Sequence, residues 1–216
     1  MRRWVLSICI FLEVACGRAV KTEVAKSKDL VGPELSVAWV SAGIENGSAA
    51  SISEGVMSLP AGKPMTGMRF DAWAARELPL LDYAITYEAR RTAGRDFFGT
   101  VTFPVGALDR CVSFVLGGWG GAVVGVSSID DADAGGNETR SEQRFEPGTW
   151  YRVRIEVRAD DLRAWIDDRI VVNVSIKGRR LGMRAGEIQK CMPFGFASYA
   201  TDGEVRGVVI ERLQAR

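Results

Sequence analysis

The chain has 216 residues, 47% of them hydrophobic, which suits one large β domain or two small ones with a packed core. Its 28 basic and 27 acidic residues leave a formal net charge of +1, so it lacks the basic excess typical of nucleic-acid-binding proteins. The absence of histidine excludes Ser-His-Asp and Cys-His nucleophile pairs, a histidine general base and any metal site with a histidine ligand.

Residues 1–19 have the pattern of a secretory signal peptide, with a basic start at Arg2 and Arg3 and an apolar run over residues 4–12. This run is shorter than the roughly 20 residues that span a bilayer, so the sequence predicts no membrane span. We expect cleavage after Ala19 and export to the periplasm, the cell surface or the medium.

The alternative to cleavage at that point is lipid modification of Cys16, which would anchor the chain as a bacterial lipoprotein. In either case a polar leader at residues 20–33 precedes a single predicted domain at residues 34–216, because no linker or internal repeat follows the leader.

Strict alternation of apolar and polar residues over 82–90 (DYAITYEAR) and 150–158 (WYRVRIEVR) predicts half-buried antiparallel strands. Residues 162–174 predict a hairpin with a tight turn at 167–169. The best helix candidate, residues 73–81, is cut by Pro79. Short strands throughout predict an all-β fold, a jelly-roll sandwich of two antiparallel sheets.

The stretch FVLGGWGGAVVG, residues 114–125, places Trp119 between two pairs of glycines. The flanking apolar runs predict two strands, and the glycines predict the turn between them, where positive φ costs glycine little. Trp119 would then stand near the tip of a hairpin. It either folds back over neighbouring apolar residues or offers a ring on which a sugar can stack.

An acidic loop follows at residues 130–142 (DDADAGGNETRSE). Its spacing resembles that of a calcium loop, with candidate ligands at Asp131, Asp133, Thr139 and Glu142. The alternative is a solvated acidic loop, since the fifth position is a glycine and no helices flank the segment. Calcium is the only cofactor that the sequence suggests, and none is required.

Two carboxylates that flank a glycosidic bond can act as acid and base, and the candidates here are Glu88, Asp96, Asp130, Asp167 and Asp168. Arg90, Trp165 and Asp167, together with Trp119, are candidate ligand-binding residues, because the polar strand faces predict either a groove or a solvated sheet face. Cys111 and Cys191 follow the leader as a lone pair that is either a disulfide or two buried thiols.

Five segments in order resemble the 3-keto-disaccharide hydrolase family, formerly a domain of unknown function. They are SISEGVMSLP, DYAITYEARR, GRDFFGTVTFP, GTWYRVRIEVRADDLRAWIDDRIVVNV and PFGFASYATDGEVRGVVIERL, and the resemblance covers roughly residues 35–213. It implies a concanavalin A-like jelly roll, shared with lectins and glucanases, in an exported bacterial protein. Its enzymes act on 3-keto-glycosides, in some cases with a metal.

The resemblance implies roles residue by residue. Glu88 matches the acidic residue of the family's early strand and Arg90 follows it, Asp130 matches in the middle strand, and Trp165 matches the tryptophan of the late hairpin. Asp167 replaces the family's asparagine and Ala164 its histidine, which points to a divergent or non-catalytic branch.

Three hypotheses follow: an exported carbohydrate-binding domain, a hydrolase or lyase acting on 3-keto-glycosides or related glycans, and a structural or adhesion module that binds protein. Paired carboxylates across one groove favour the enzyme. An aromatic platform without paired acids favours carbohydrate binding, and a flat apolar patch favours protein binding.

Overall fold

The computed structural model describes residues 29–214, so the predicted signal peptide, Cys16 and most of the predicted leader lie outside the described residues. Within this range the strands, in chain order, are β1 (Trp39–Ser41), β2 (Ser51–Ser53), β3 (Val56–Leu59), β4 (Met65–Phe70), β5 (Tyr83–Gly94), β6 (Thr100–Ala107), β7 (Arg110–Gly118), β8 (Val123–Ser127), β9 (Ser141–Glu142), β10 (Tyr151–Val157), β11 (Asp161–Ile166), β12 (Arg169–Ser175), β13 (Gly195–Tyr199) and β14 (Thr201–Arg212). The helices of the described range are two short 3-10 segments, Ser36–Ala38 and Glu187–Cys191.

These strands form two seven-stranded antiparallel sheets. Sheet one has the order β1-β4-β13-β6-β7-β8-β9, and sheet two has the order β12-β11-β10-β5-β14-β3-β2. The predicted all-β sandwich of two antiparallel sheets is therefore confirmed. No helix of residues 29–214 has the length and apolar character that a membrane crossing needs.

The alternating segments form central strands of sheet two. On β5, Tyr83, Ile85 and Tyr87 are fully buried, whereas Glu88 and Arg90 point away from the core and are half-buried. Strand β10 alternates in the same way and pairs with β5 along its whole length. Period-two alternation thus reports which face of each strand packs against sheet one.

The interior between the sheets is rich in aromatic side chains. Trp39 packs against Phe70 with ring centroids 5.2 Å apart, and Trp73 packs against Phe194 at 4.9 Å. Leu30 and Val31 are also buried in this core, and the amide of Leu30 donates to the carbonyl of Val208 at 2.7 Å. The sandwich therefore begins before the predicted boundary at residue 34.

Both predicted hairpins form. Strands β7 and β8 pair around the glycine-flanked turn, and β11 and β12 pair around Asp167 and Asp168. Cys111 and Cys191 are buried free thiols: the Cys111 thiol donates to the Leu108 carbonyl at 3.3 Å, and the Cys191 thiol to that of Phe196 at 3.8 Å. Burial raises the pKa of each thiol to about 12. The structure thus agrees with the alternative of two buried thiols.

Candidate functional site

The turn between β7 and β8 explains why glycines surround Trp119. Trp119 itself has φ 51°, and the two glycines after it, Gly120 and Gly121, have φ 89° and 113°. A Cβ on Gly121 would also lie 2.6 Å from the carbonyl oxygen of Arg95. The glycines therefore serve a left-handed turn that packs closely on a neighbouring backbone segment.

Trp119 lies at the surface, with 46% of its area exposed, so it is not a core residue. A Cβ on Gly135 of the acidic loop would lie 2.9 Å from Cε2 of Trp119, 3.1 Å from Cζ2 and 3.2 Å from Nε1. The nearest of these atoms is bonded to the other two, so that point lies over the face of the indole ring. The indole ring thus packs face-on against Gly135, and a side chain at position 135 would displace it.

A cleft of about 450 Å³ opens beside this ring. Its polar lining comes from Asp133, Arg140 and Glu142, and its remaining walls include Ala122 and Gly136. Arg140 and Glu142 form an ion pair with each other. The cleft therefore combines a half-exposed aromatic ring with carboxylate groups that accept hydrogen bonds and a guanidinium group that donates them.

The acidic loop lies against the outer face of sheet one, where a Cβ on Gly125 of β8 would be 3.3 Å from Cβ of Ala134. It is held there by an arginine strap, which we define as residues 179–184 between β12 and β13. Nε of Arg179 donates to Asp130 at 2.6 Å, and Nη1 of the same arginine donates to Glu138 at 2.6 Å.

Two further ion pairs join the arginine strap to the acidic loop. Arg180 donates to Asp131 at 2.5 Å, and Nη1 of Arg184 lies 3.5 Å from Asp133. The guanidinium carbon of Arg184 also lies 5.8 Å from the ring centroid of Trp119. The arginine strap therefore connects the acidic loop to the tryptophan of the cleft.

These contacts lower the pKa values of two carboxyl groups in the acidic loop. The pKa of Asp130 is lowered by a hydrogen bond from the backbone amide of Arg180 and by the side chain of Arg179. The pKa of Glu138 is lowered chiefly by its hydrogen bond from Arg179. Both groups are therefore charged carboxylates near neutral pH, which does not suit either for a general acid.

The four predicted calcium ligands do not converge on one point. Asp131 and Asp133 face arginines, Glu142 pairs with Arg140, and the hydroxyl of Thr139 accepts from the amide of Val126 at 2.9 Å. Among residues 29–214, no three Asp, Glu, Cys or His side chains form a group that could hold a metal ion. Calcium binding by this loop stays a prediction, without support from the geometry.

The other predicted residues lie on the outer face of sheet two. Glu88 accepts from Nε of Arg206 at 2.7 Å, and Nε of Arg90 donates to Glu204 at 2.6 Å. Two ion pairs therefore link β5 to β14. The guanidinium carbons of Arg90 and Arg206 lie 4.5 and 4.1 Å from the ring centroid of Trp150. Trp150, which follows a turn and precedes β10, is not among the residues predicted above to bind a ligand.

Trp165 and Asp167 belong to the β11–β12 hairpin of the same sheet. Trp165 is half-buried and pairs in register with Arg154 of β10. Oδ1 of Asp167 accepts from the amide of Arg152 at 3.0 Å, so its side chain ties the hairpin turn to β10.

The structure thus divides the predicted site residues between two surfaces. Trp119 and the acidic-loop residues Asp130, Asp131, Asp133, Thr139 and Glu142 lie together over sheet one, whereas Glu88, Arg90, Trp165 and Asp167 lie on sheet two. Glu88 and Asp130 pair with different arginines in different sheets and share no partner in the described contacts.

No family model matches the sequence, and no curated protein matches it either. Solved structures do share the fold. Carbohydrate-binding module CBM66 from Bacillus subtilis aligns with a TM-score of 0.52 and 13% identity, covering 81% of this chain and 95% of that one. The Crh5 transglycosylase aligns with a TM-score of 0.57 and 10% identity, covering 87% of this chain and 83% of that one.

A third similar structure is a carbohydrate esterase from the Shiga toxin-encoding bacteriophage phi24B, with a TM-score of 0.52, 13% identity, and coverage of 87% of this chain and 97% of that one. At these identities the likeness establishes the β-sandwich fold alone.

Proposed function

We propose that the chain is an exported carbohydrate-binding domain whose ligand stacks on Trp119 at the mouth of the cleft. The observation that carries this proposal is the half-exposed indole held on Gly135 beside Asp133, Arg140 and Glu142. A sugar ring has flat C–H faces that pack on an aromatic ring, while its hydroxyls bond to carboxylate and guanidinium groups. The neighbour named as a carbohydrate-binding module supports the same function.

The alternative, a hydrolase or lyase, has less support from the geometry. Acid–base cleavage of a glycoside needs two carboxylates across one groove, one of them protonated. Glu88 is paired with Arg206 on sheet two, and Asp130 is paired with Arg179 over sheet one. We therefore propose a binding domain related to the 3-keto-disaccharide hydrolase family, on the motifs quoted above, without that family's catalysis.

The test is a glycan array that also carries 3-keto-glucosides, followed by titration of the best ligand. Trp119→Ala removes the stacking ring, so affinity should fall by about 1–3 kcal/mol, the scale of an aromatic hot spot. Gly135→Ala should act in the same direction, because the new methyl would lie within 3.0 Å of the indole and displace it.

Gly136→Ala is the matched control. A Cβ on Gly136 meets no atom nearer than 3.8 Å, so this variant changes the same loop without touching the ring. Because Gly136 also lines the cleft but its Cβ would not displace the ring, this variant should lose less affinity than Gly135→Ala. The proposal is wrong if Trp119→Ala binds as tightly as the original chain, or if Gly135→Ala binds as tightly as Gly136→Ala. It is also wrong if the original chain binds no glycan on the array.

Export is proposed on the signal pattern of residues 1–19. We expect a bacterial host to secrete the chain and cleave it after Ala19, which mass spectrometry of the secreted form would show. A lipid-modified N-terminus at Cys16 would favour the lipoprotein alternative, and an uncleaved cytoplasmic chain would contradict both.

A further inference from the structure

A second cavity, of about 250 Å³, lies next to the cleft. Its polar lining comes from Ser128, from Asp131 and Asp133 of the acidic loop, and from Arg180 and Arg184 of the arginine strap. It therefore lies between the end of β8, the acidic loop and the strap, and is open to solvent. No residue proposed above as a stacking platform lies in it.

The two cavities are neighbours that share a wall. Asp133 lines both of them. Its ion-pair partner Arg184 lines the second cavity and also lies 5.8 Å from the ring centroid of Trp119 in the first. The Asp133–Arg184 pair therefore lies between the two cavities.

The charges of the second cavity cancel. Asp131 is paired with Arg180 and Asp133 with Arg184, so the lining has no unpaired guanidinium for an anionic ligand and no unpaired carboxylate for a cation. Ion-paired groups of this kind still offer N–H donors and oxygen acceptors. Such a lining suits the hydroxyl groups of a neutral sugar better than a uronic acid or an amino sugar.

We propose that the cleft and the second cavity are adjacent subsites of one groove, which binds a neutral oligosaccharide of two or more units. One unit stacks on Trp119, and the next lies beyond the Asp133–Arg184 pair in the second cavity. This proposal rests on the carbohydrate-binding function and specifies its ligand class.

Gly182 supplies a steric test. It lines the second cavity, and a Cβ there would meet no atom within 4 Å. Its amide donates to the carbonyl of Ser128 at 3.2 Å, and its own carbonyl accepts from the amide of Ser128 at 2.6 Å. Since a side chain at 182 leaves both backbone bonds in place, Gly182→Phe should fill the cavity without unfolding the strap. Gly182→Ala is the matched small variant.

The probes are glucan, mannan and xylan fragments from monosaccharide to hexasaccharide, with oligogalacturonates as the acidic counter-series, titrated calorimetrically. For the original chain we expect a neutral di- or trisaccharide to bind at least about tenfold more tightly than its monosaccharide, the effect of a second subsite of about 1.4 kcal/mol. Gly182→Phe should abolish this gain and leave monosaccharide affinity unchanged, whereas Gly182→Ala should keep it. Thermal melts verify that each variant is folded.

Affinity that does not rise with chain length, or a length gain that survives in folded Gly182→Phe, would overturn the two-subsite groove and leave the carbohydrate-binding function intact. Binding of oligogalacturonates alone would overturn the neutral ligand class. Binding of no carbohydrate here or on the array would overturn the proposed function and this proposal with it.

Discussion

Trp119 and Trp150 both lie at polar surfaces of the sandwich, yet their surroundings differ. Trp150 lies under the guanidinium groups of Arg90 and Arg206, each of which is fixed by a glutamate on the neighbouring strand. Trp119 rests on Gly135, has Arg184 at 5.8 Å from its ring centroid and is 46% exposed. Two of the protein's own cations thus lie close over the first ring, whereas the second keeps about half of its area open to solvent.

The difference arises from where each residue stands in the sequence. Next to Trp150, outward positions of β5 and β14 carry Arg90 and Arg206, which lie over the ring, and each arginine is paired with a glutamate of the other strand. Around Trp119 the neighbours are glycines, which supply no side chain to cover it. This difference in cover is why we propose Trp119, and not Trp150, as the ring that meets the ligand.

The largest effect expected from this comparison is on stability. Trp150→Ala removes a half-buried ring and two cation–π contacts, so the free energy of unfolding should fall by about 2 kcal/mol. Trp119→Ala removes a half-exposed ring with one longer cation–π contact and should cost less, about 1 kcal/mol. Urea unfolding of both variants measures the difference.

Ligand titration of the same two variants completes the comparison. Trp150→Ala should bind glycans as the original chain does, because its ring is already covered. If Trp150→Ala loses affinity while Trp119→Ala does not, the binding surface lies on sheet two, near Trp165, and the assignment of the cleft is wrong.

A smaller effect is expected from acid. The native pKa values of Asp130 and Glu138 lie below their ordinary values, so these carboxylates stabilise the folded chain above the unfolded-state pKa, near pH 4, and lose that contribution as the pH falls through the native pKa. The melting temperature should therefore fall below about pH 4 as the acidic loop separates from Arg179.

The double variant Asp130→Asn with Glu138→Gln isolates this contribution. It should melt lower than the original chain near neutral pH and lose less of its melting temperature between about pH 5 and pH 3. Asp160→Asn, which breaks the exposed pair with Lys177, serves as the control for a surface ion pair away from the loop. Identical pH profiles for the double variant and the original chain would contradict the role of the arginine strap.

The fold was predictable because alternation reports burial locally: Tyr83, Ile85 and Tyr87 are apolar at every second position, and all three are buried. Strand order was not, because it depends on pairing between distant segments. Strand β14, near the end of the chain, lies between β5 and β3, and no local pattern of residues 201–212 indicates that position.

The candidate site was predictable in part for the same reason. The glycines around Trp119 indicated a turn, and the turn formed. Arg179, Arg180 and Arg184 were missed, because Asp130 and Arg179 are 49 residues apart and meet only through the tertiary fold. The available signal was the opposite charge of the two short runs, DDAD at 130–133 and RRLGMR at 179–184.

The smallest expected effect concerns calcium. The sequence suggests a calcium loop, but three of its four candidate ligands already face arginines, so an ion would have to displace Arg180, Arg184 and Arg140 before it could bind. Calcium stabilises the folded chain only if it binds the native state, so we expect millimolar calcium to leave the melting temperature unchanged, as chelator should. Arg180→Ala with Arg184→Ala removes two of the competing cations and is the variant in which calcium should first raise the melting temperature. A rise in the original chain, reversed by chelator, would show that the loop rearranges around the ion and would restore the calcium site predicted from its spacing.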